Sequence, residues 1–257
     1  MPWIELEGAV NVRDLGGLPT SDGGKTVGGR LLRSDNLQEL SPADIATLVR
    51  EIGLTTVIDL RSTAELRAEG PAPLEAIESV RHVHHPVLPE QGHATDVVAD
   101  VLLTRADEDR SRFSGDPRAG HYLGYVENRP GQVVDALRTI AHSGGAALVH
   151  CAAGKDRTGV VVALALSAVG VRAGAVIADY AATAERTEAI LQRLRRSPAY
   201  AIDVVRKPAD SHRPRPETMS AFLEQMDARY GGVVPWLNGH EFSGGDLDLL
   251  YARLRQP

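Results

Sequence analysis

The chain has 257 residues, 43% hydrophobic and 24% charged, with a formal net charge of −6. That length suits one α/β domain, alone or with an added subdomain, and the acidic balance argues against nonspecific nucleic-acid binding. A single cysteine excludes an internal disulfide framework and fits a reducing compartment.

The first stretch, "MPWIELEGAV", has acids where a signal peptide needs bases. The longest apolar run, "TGVVVALALSAVGV", is too short to span a membrane. The expectation is a soluble cytoplasmic protein; export without a cleaved signal leaves no mark in a sequence. "GLPTSDGGKTVGG" (17–29) reads as a flexible turn region. "RLLRSDNL" and "TTVIDLRS" read as short strands with functional groups at their carboxyl ends. Between them "SPADIATLVREIG" is a predicted helix. Ser41 caps it, Pro42 takes its first position, Ile45, Leu48, Val49 and Ile52 form its apolar stripe, and Gly53 closes it. Strand, helix, strand is a parallel crossover unit. "VRHVHHPV" is a third strand, and "GQVVDALRTIAHSGG" a helix with Val133, Val134, Leu137, Ile140 and Ala141 on one side.

"AALVHC" is a short buried strand, followed by "RTGVVVALALSAVG", a helix apolar nearly all round that belongs in the core. The base run "RLRRSPAY" (193–200) reads as a solvated helix end, and "RKPADSHRPRP" (206–216) as a second flexible segment. "PETMSAFLEQMDARYGG" places Met219, Phe222, Leu223, Met226 and Tyr230 on one helical face, a core stripe. The fold class is therefore α/β: a mainly parallel central sheet flanked by helices, with a helical C-terminal part.

The chemistry concentrates in "HCAAGKDRTG" (150–159), a turn between a strand and a helix. Amides at such a helix N-terminus bind a tetrahedral anion. Cys151 stands at the mouth of that cradle, where positive potential favours thiolate over thiol. Arg157, after five intervening residues, returns a planar guanidinium to the anion, and Thr158 can donate its hydroxyl to the thiolate. The implied reaction is phosphoryl transfer to sulfur, then hydrolysis of the phosphocysteine. An inert buried thiol accounts for Cys151 alone, not for His150, Gly154, Lys155, Arg157, Thr158 and Gly159 at fixed offsets. A nucleotide-binding P-loop fails, because Val149 and Asp156 stand where it needs glycine and a hydroxyl residue.

His-Cys, five residues, Arg, Thr-Gly resembles the signature of the cysteine-dependent tyrosine phosphatases. With "NVRDLGGL", "RLLRSDNL" and "VIDLRSTAE", the chain is similar to their atypical bacterial branch over about residues 8 to 183. The resemblance implies a tyrosine-phosphatase-like fold in one phosphatase domain over residues 1–257, with about 189–232 as a helical lid. It implies Cys151 as nucleophile, Arg157 as phosphate ligand, Ala152, Ala153, Gly154, Lys155 and Asp156 as the amide cradle, and no metal or organic cofactor. The implied partners are phosphorylated proteins or phosphoinositides.

The general acid is left between two aspartates. No Trp-Pro-Asp tripeptide, the conventional source, occurs. Asp156 lies inside the loop, and the resemblance favours it. Asp59 ends a parallel strand, where it either orients the site or pairs with Arg61. Arg61 and His150 complete the candidate substrate-binding set. Lys155 either serves a second phosphate, as on an inositol ring, or pairs with Asp156. His82, His84 and His85 lack the spacing of a metal site and read as edge-strand residues. A phosphatase acting primarily on phosphoinositides, a non-catalytic phosphate-binding module and a rhodanese-like sulfurtransferase are the rival functions.

Overall fold

The computed structural model describes residues 3–88, 116–201, 204 and 212–256. Its described strands are β1 (Arg13–Asp14), β2 (Leu31–Ser34), β3 (Leu54–Asp59), β4 (Arg81–His84) and β5 (Ala146–His150). They form one sheet in the order β1-β2-β5-β3-β4, with only the β1–β2 pair antiparallel. β5 is thus central, and its carboxyl end faces the crevice where α/β sheets meet their ligands.

The period of two sorts the strand residues onto two faces. Leu31, Ile58, Ala147 and Val149 join the larger core; Leu32, Val57, Ala146 and Leu148 join the smaller one. The smaller core is closed by α1 (Pro42–Ala46). Ser41 caps it as the sequence predicts, with Asp44 completing a capping box. The predicted plain α-helix differs in its second half. Thr47–Glu51 widens into a π-helical turn, before Gly53 ends the segment at φ +78°.

The larger core is built on α5 (Asp156–Ala168), in which every residue but Ser167 is buried. Around it pack α3 (Pro117–Asn128), α4 (Pro130–Ala141), α6 (Ala173–Ala182), α8 (Pro216–Tyr230), α9 (Val233–Asn238) and α10 (Gly244–Leu254). Met219, Phe222 and Met226 of α8 are fully buried there. Two further helices serve the site: α2 (Thr63–Glu69) after β3, and α7 (Thr187–Leu194).

Two expectations are corrected. Residues 17–29 are not a loose turn, because Thr26 and Leu18 exchange hydrogen bonds, Ser21 N–H donates to Gly170, and Val27 N–H donates to Leu254. The base run is not simply a solvated helix end. Arg193 is buried, ion-paired with Asp35 and Glu39, and donates to the Asn36 carbonyl. The second predicted flexible segment lies largely outside the described residues. His82 and His84 do sit on the edge strand, and His85 is held by Thr139. Among the described residues no helix is long and apolar enough to cross a membrane, and no group of three His, Cys, Asp or Glu could hold a metal.

Candidate active site

Cys151 follows the last residue of β5, and Asp156 opens α5, so the intervening turn is clamped between a central strand and a core helix. The turn is shaped from behind. The Ala152 carbonyl accepts from Asn36 N–H at 3.0 Å. The Ala153 carbonyl accepts from Asn11 Nδ2 at 2.9 Å, and the Gly154 carbonyl from Asn11 Nδ2 at 3.1 Å and Arg33 at 2.6 Å. In a planar trans peptide the N–H points opposite its carbonyl. Fixing three carbonyls outward therefore turns the amides of Ala153, Gly154 and Lys155 inward. Gly154 has φ +65°, and a Cβ there would lie 2.3 Å from the Ser34 carbonyl oxygen. Only glycine lets the loop rest this closely on β2.

The groups behind the loop form a buried ionic network. Asp179 accepts from Arg13 at 2.8 Å and from Arg33 at 2.5 Å, and Arg13 also reaches Asn11 and Thr183. Burial opposes the Asp179 charge, but Arg33 and Arg13 outweigh it and hold the carboxyl below its ordinary range.

Arg157 is fully buried and forms a two-pronged pair with Glu65, at 2.6 and 2.8 Å. Glu65 is the third residue of the Ser62 capping box in α2, which fixes its position. Despite burial, Arg157 keeps this carboxyl ionised. Thr158, also fully buried, has a hydroxyl with no hydrogen-bond partner among the described residues.

Asp156 accepts from the Tyr122 hydroxyl at 2.5 Å on Oδ1, and Lys155 Nζ lies 3.2 Å from Oδ2. Burial favours the neutral acid, but the charges of Lys155 and Arg118 and the Tyr122 hydrogen bond pull it below its ordinary value. Lys155 Nζ also donates to the His212 carbonyl at 2.9 Å. Of its two expected uses, the structure displays the pairing with Asp156.

Asp59 is not brought to the same spot in the same manner. Both its oxygens bind Arg61, at 2.6 to 3.0 Å, and His150 Nε2 stands 3.5 Å away. Burial opposes its charge, with His150 and Arg61 pulling it below the usual range. His150 itself is pushed down to about 4, chiefly by burial, so it is neutral at neutral pH and Arg61 is the standing counter-charge. Arg61 also donates to Gln38 at 3.0 Å.

A small apolar cluster packs against the start of the loop. Ile190, Leu191 and Leu194 of α7, with Tyr200 and Val204, pack on Ala152 and Ala153. Cys151 is completely buried and belongs to the larger core.

Compared with known proteins, the sequence profile described as "Tyrosine phosphatase family" matches residues 4–256. The chain belongs to the tyrosine phosphatase family. The phosphatase is 33% identical over 190 residues to the triple specificity protein phosphatase PtpB of Mycobacterium tuberculosis, covering 68% of this chain and 67% of that protein. It is 36% identical over 178 residues to a Cupriavidus necator protein with a provisional tyrosine-protein phosphatase name, covering 68% and 61% of the two chains. A Nostoc commune tyrosine-protein phosphatase is 31% identical over 140 residues, covering 52% and 47%.

Several residues that build this phosphatase site carry no sequence signal of their own role. Asn11, Arg13 and Arg33 sit in stretches that mark the family, but their partner Asp179 lies 166 and 146 residues away from the two arginines. Glu65 was legible in principle as the acid three residues after Ser62, a capping box. Tyr122 and Tyr180 meet Asp156 only through tertiary packing.

Proposed function

We propose that the protein hydrolyses phosphotyrosine through a phosphocysteine intermediate. The observation that carries this is the loop with its carbonyls fixed outward, its amides turned inward, Cys151 at its start and Arg157 at its end. Such a ring holds the three non-bridging oxygens of a phosphate monoester and stabilises charge that develops on them. Arg157, oriented by Glu65, adds a fixed cation.

The Cys151 thiolate, its charge lowered in energy by the Thr158 hydroxyl, attacks phosphorus. A P–S bond forms as the ester P–O bond breaks, and Asp156 gives its proton to the departing oxygen. Water then attacks phosphorus, its proton passes to the Asp156 carboxylate, and the P–S bond breaks to return thiolate and inorganic phosphate. In the free loop Asp156 is held ionised by Lys155 and Arg118. A phosphate dianion in the cradle adds negative charge beside it and raises its proton affinity. Asp59 orients Arg61 and the wall of the site. No cofactor enters the scheme.

The substrate range extends to phosphoserine, phosphothreonine and phosphoinositides. Support comes from the triple specificity in the mycobacterial relative's name and from Lys155, a cation at the loop that can serve a second phosphate by exchanging Asp156 for it. The chain acts as one domain over residues 1–257, in a reducing compartment such as the cytoplasm. Within the span 189–232, α7 with Tyr200 and Val204 packs on the loop and shields the thiolate, while α8 supplies core.

The test is phosphate release from a phosphotyrosine peptide and a phosphoinositide in parallel, with Cys151→Ser as the blank. Peptide cleavage supports the reading, and comparable lipid cleavage gives Lys155 its substrate role. If wild type cleaves neither, the binding-module alternative replaces it.

A further inference from the structure

The general acid of a phosphatase must present its proton on the oxygen that faces the leaving group. A carboxyl has two oxygens, and something must choose between them. Resting on the reading of Asp156 as that acid, the structure supplies a chooser. Tyr122 sits on α3, and its ring is locked: Tyr125 is at 6.0 Å, Tyr180 at 6.1 Å and Phe222 at 6.1 Å between centroids. Its hydroxyl meets Asp156 Oδ1 at 2.5 Å and the Tyr180 hydroxyl at 2.7 Å. The Arg118 guanidinium adds a positive charge near the Tyr180 hydroxyl.

The direction of this chain follows from its carboxylate end. A carboxylate can only accept, and each hydroxyl has one proton. Tyr122 therefore donates to Oδ1, and Tyr180 donates to Tyr122. Successive bonds polarise one another and strengthen the last. Gly159 makes room for the arrangement, since a Cβ there would lie 3.0 Å from the Tyr180 ring.

We propose that Tyr122, backed by Tyr180, is a positioning residue that keeps Oδ1 of Asp156 an acceptor and so confines the acid's proton to Oδ2. Oδ2 is the oxygen beside Lys155. A proton on Oδ1 would compete with the Tyr122 hydroxyl for that oxygen, whereas Oδ2 takes the proton when Lys155 turns from it to a substrate phosphate. The same bond stabilises the carboxylate, so Tyr122 also sets how readily the proton is released. The groups facing Asp156 are Lys155 from its own loop, Arg118, His121 and Tyr122 from α3, and Tyr180 from α6, with the His212 carbonyl on Lys155.

The experiment measures kcat against pH for wild type, Tyr122→Phe, Tyr180→Phe and Asp156→Asn, on aryl phosphates of increasing leaving-group pKa. Asp156→Asn removes the basic limb, because no acid remains to lose. Tyr122→Phe keeps the ring and its packing but moves that limb upward by about one pH unit. It also lowers kcat several-fold on poor leaving groups with KM unchanged. Tyr180→Phe gives a smaller shift of the same sign. If Asp156→Asn loses the limb and Tyr122→Phe leaves it in place, the positioning role is overturned while Asp156 stands as the acid. If Asp156→Asn retains the limb, Asp156 is not the acid, and both fall. Should Tyr122→Phe fail to fold, Tyr180→Phe decides: an upward shift supports the proposal, and an unmoved limb overturns it.

Discussion

Replacing Gly154 by alanine tests the cradle directly. Two separate penalties meet at this position. The left-handed backbone, φ +65°, costs an L-residue about 1 to 2 kcal/mol. The new Cβ would also lie 2.3 Å from the Ser34 oxygen, 2.5 Å from its carbonyl carbon and 2.6 Å from the Asp35 nitrogen. All three atoms are backbone at the end of β2, which is paired to β5, so they cannot swing aside. Overpacking of that kind costs about 1 to 3 kcal/mol. The total is roughly 2 to 5 kcal/mol if the loop stays, or a displaced loop if it does not. Two companions separate the penalties. Gly53 has φ +78° with open space around it, so Gly53→Ala carries the backbone penalty alone. Gly131 has neither strain nor crowding and lies in α4, so Gly131→Ala is neutral or stabilising by up to about 1 kcal/mol. Urea denaturation gives the three stabilities, and kcat/KM on a phosphotyrosine peptide gives the function. Gly154→Ala should lose activity by a larger factor than Gly53→Ala at matched folded fraction. An alanine variant with wild-type kcat/KM and the stability of Gly53→Ala would refute the outward-carbonyl cradle.

The remaining expectations concern charge. Arg157→Lys loses the two-pronged match to phosphate and Glu65, and kcat should fall by about 10²- to 10³-fold in steady-state assays. Asp179→Ala leaves Arg13 and Arg33 buried without their carboxylate, and should cost about 3 to 5 kcal/mol by denaturation, together with activity. His150 is pushed down to about 4 in the fold, against about 6.5 in an unfolded chain. Below pH 6.5 the unfolded chain binds the extra proton, so this stability is intact above 6.5 and fades as pH falls toward 4, by about 3 kcal/mol in all. His150→Gln should flatten that part of the stability–pH curve. Arg193→Ala unlatches α7 from Asp35, Glu39 and the Asn36 carbonyl, and should speed alkylation of Cys151 by iodoacetamide, read by intact mass.

The parts of this fold that were legible in sequence are those whose information is local. Ser41, Pro42 and Gly53 bracket a helix because caps act within a turn, and the run after Thr158 announces a buried helix by having no polar face. α3 and α6 carry mixed faces against several neighbours, whereas α7 is one short stripe of Thr187, Ile190, Leu191 and Leu194. The loop from His150 to Thr158 was legible because its chemistry is consecutive. Its supports were not, since Asn11, Arg33 and Asp179 act on it across the whole fold. Arg193 looked like part of a solvated charge run because sequence shows the base and hides Asp35, 158 residues away.

The supports behind the loop also set an order of events during synthesis. Asn11 and Arg13 leave the ribosome early, Cys151 much later, and Asp179 and Thr183 later still. Until Asp179 emerges, Arg13 and Arg33 lack the anion that fixes them, and Arg33 cannot be held to the Gly154 carbonyl. A nascent chain that already exposes its one cysteine therefore lacks the backbone arrangement that would sharpen it into a nucleophile. Reactivity therefore awaits Asp179, and α7, made just after it, packs on the loop.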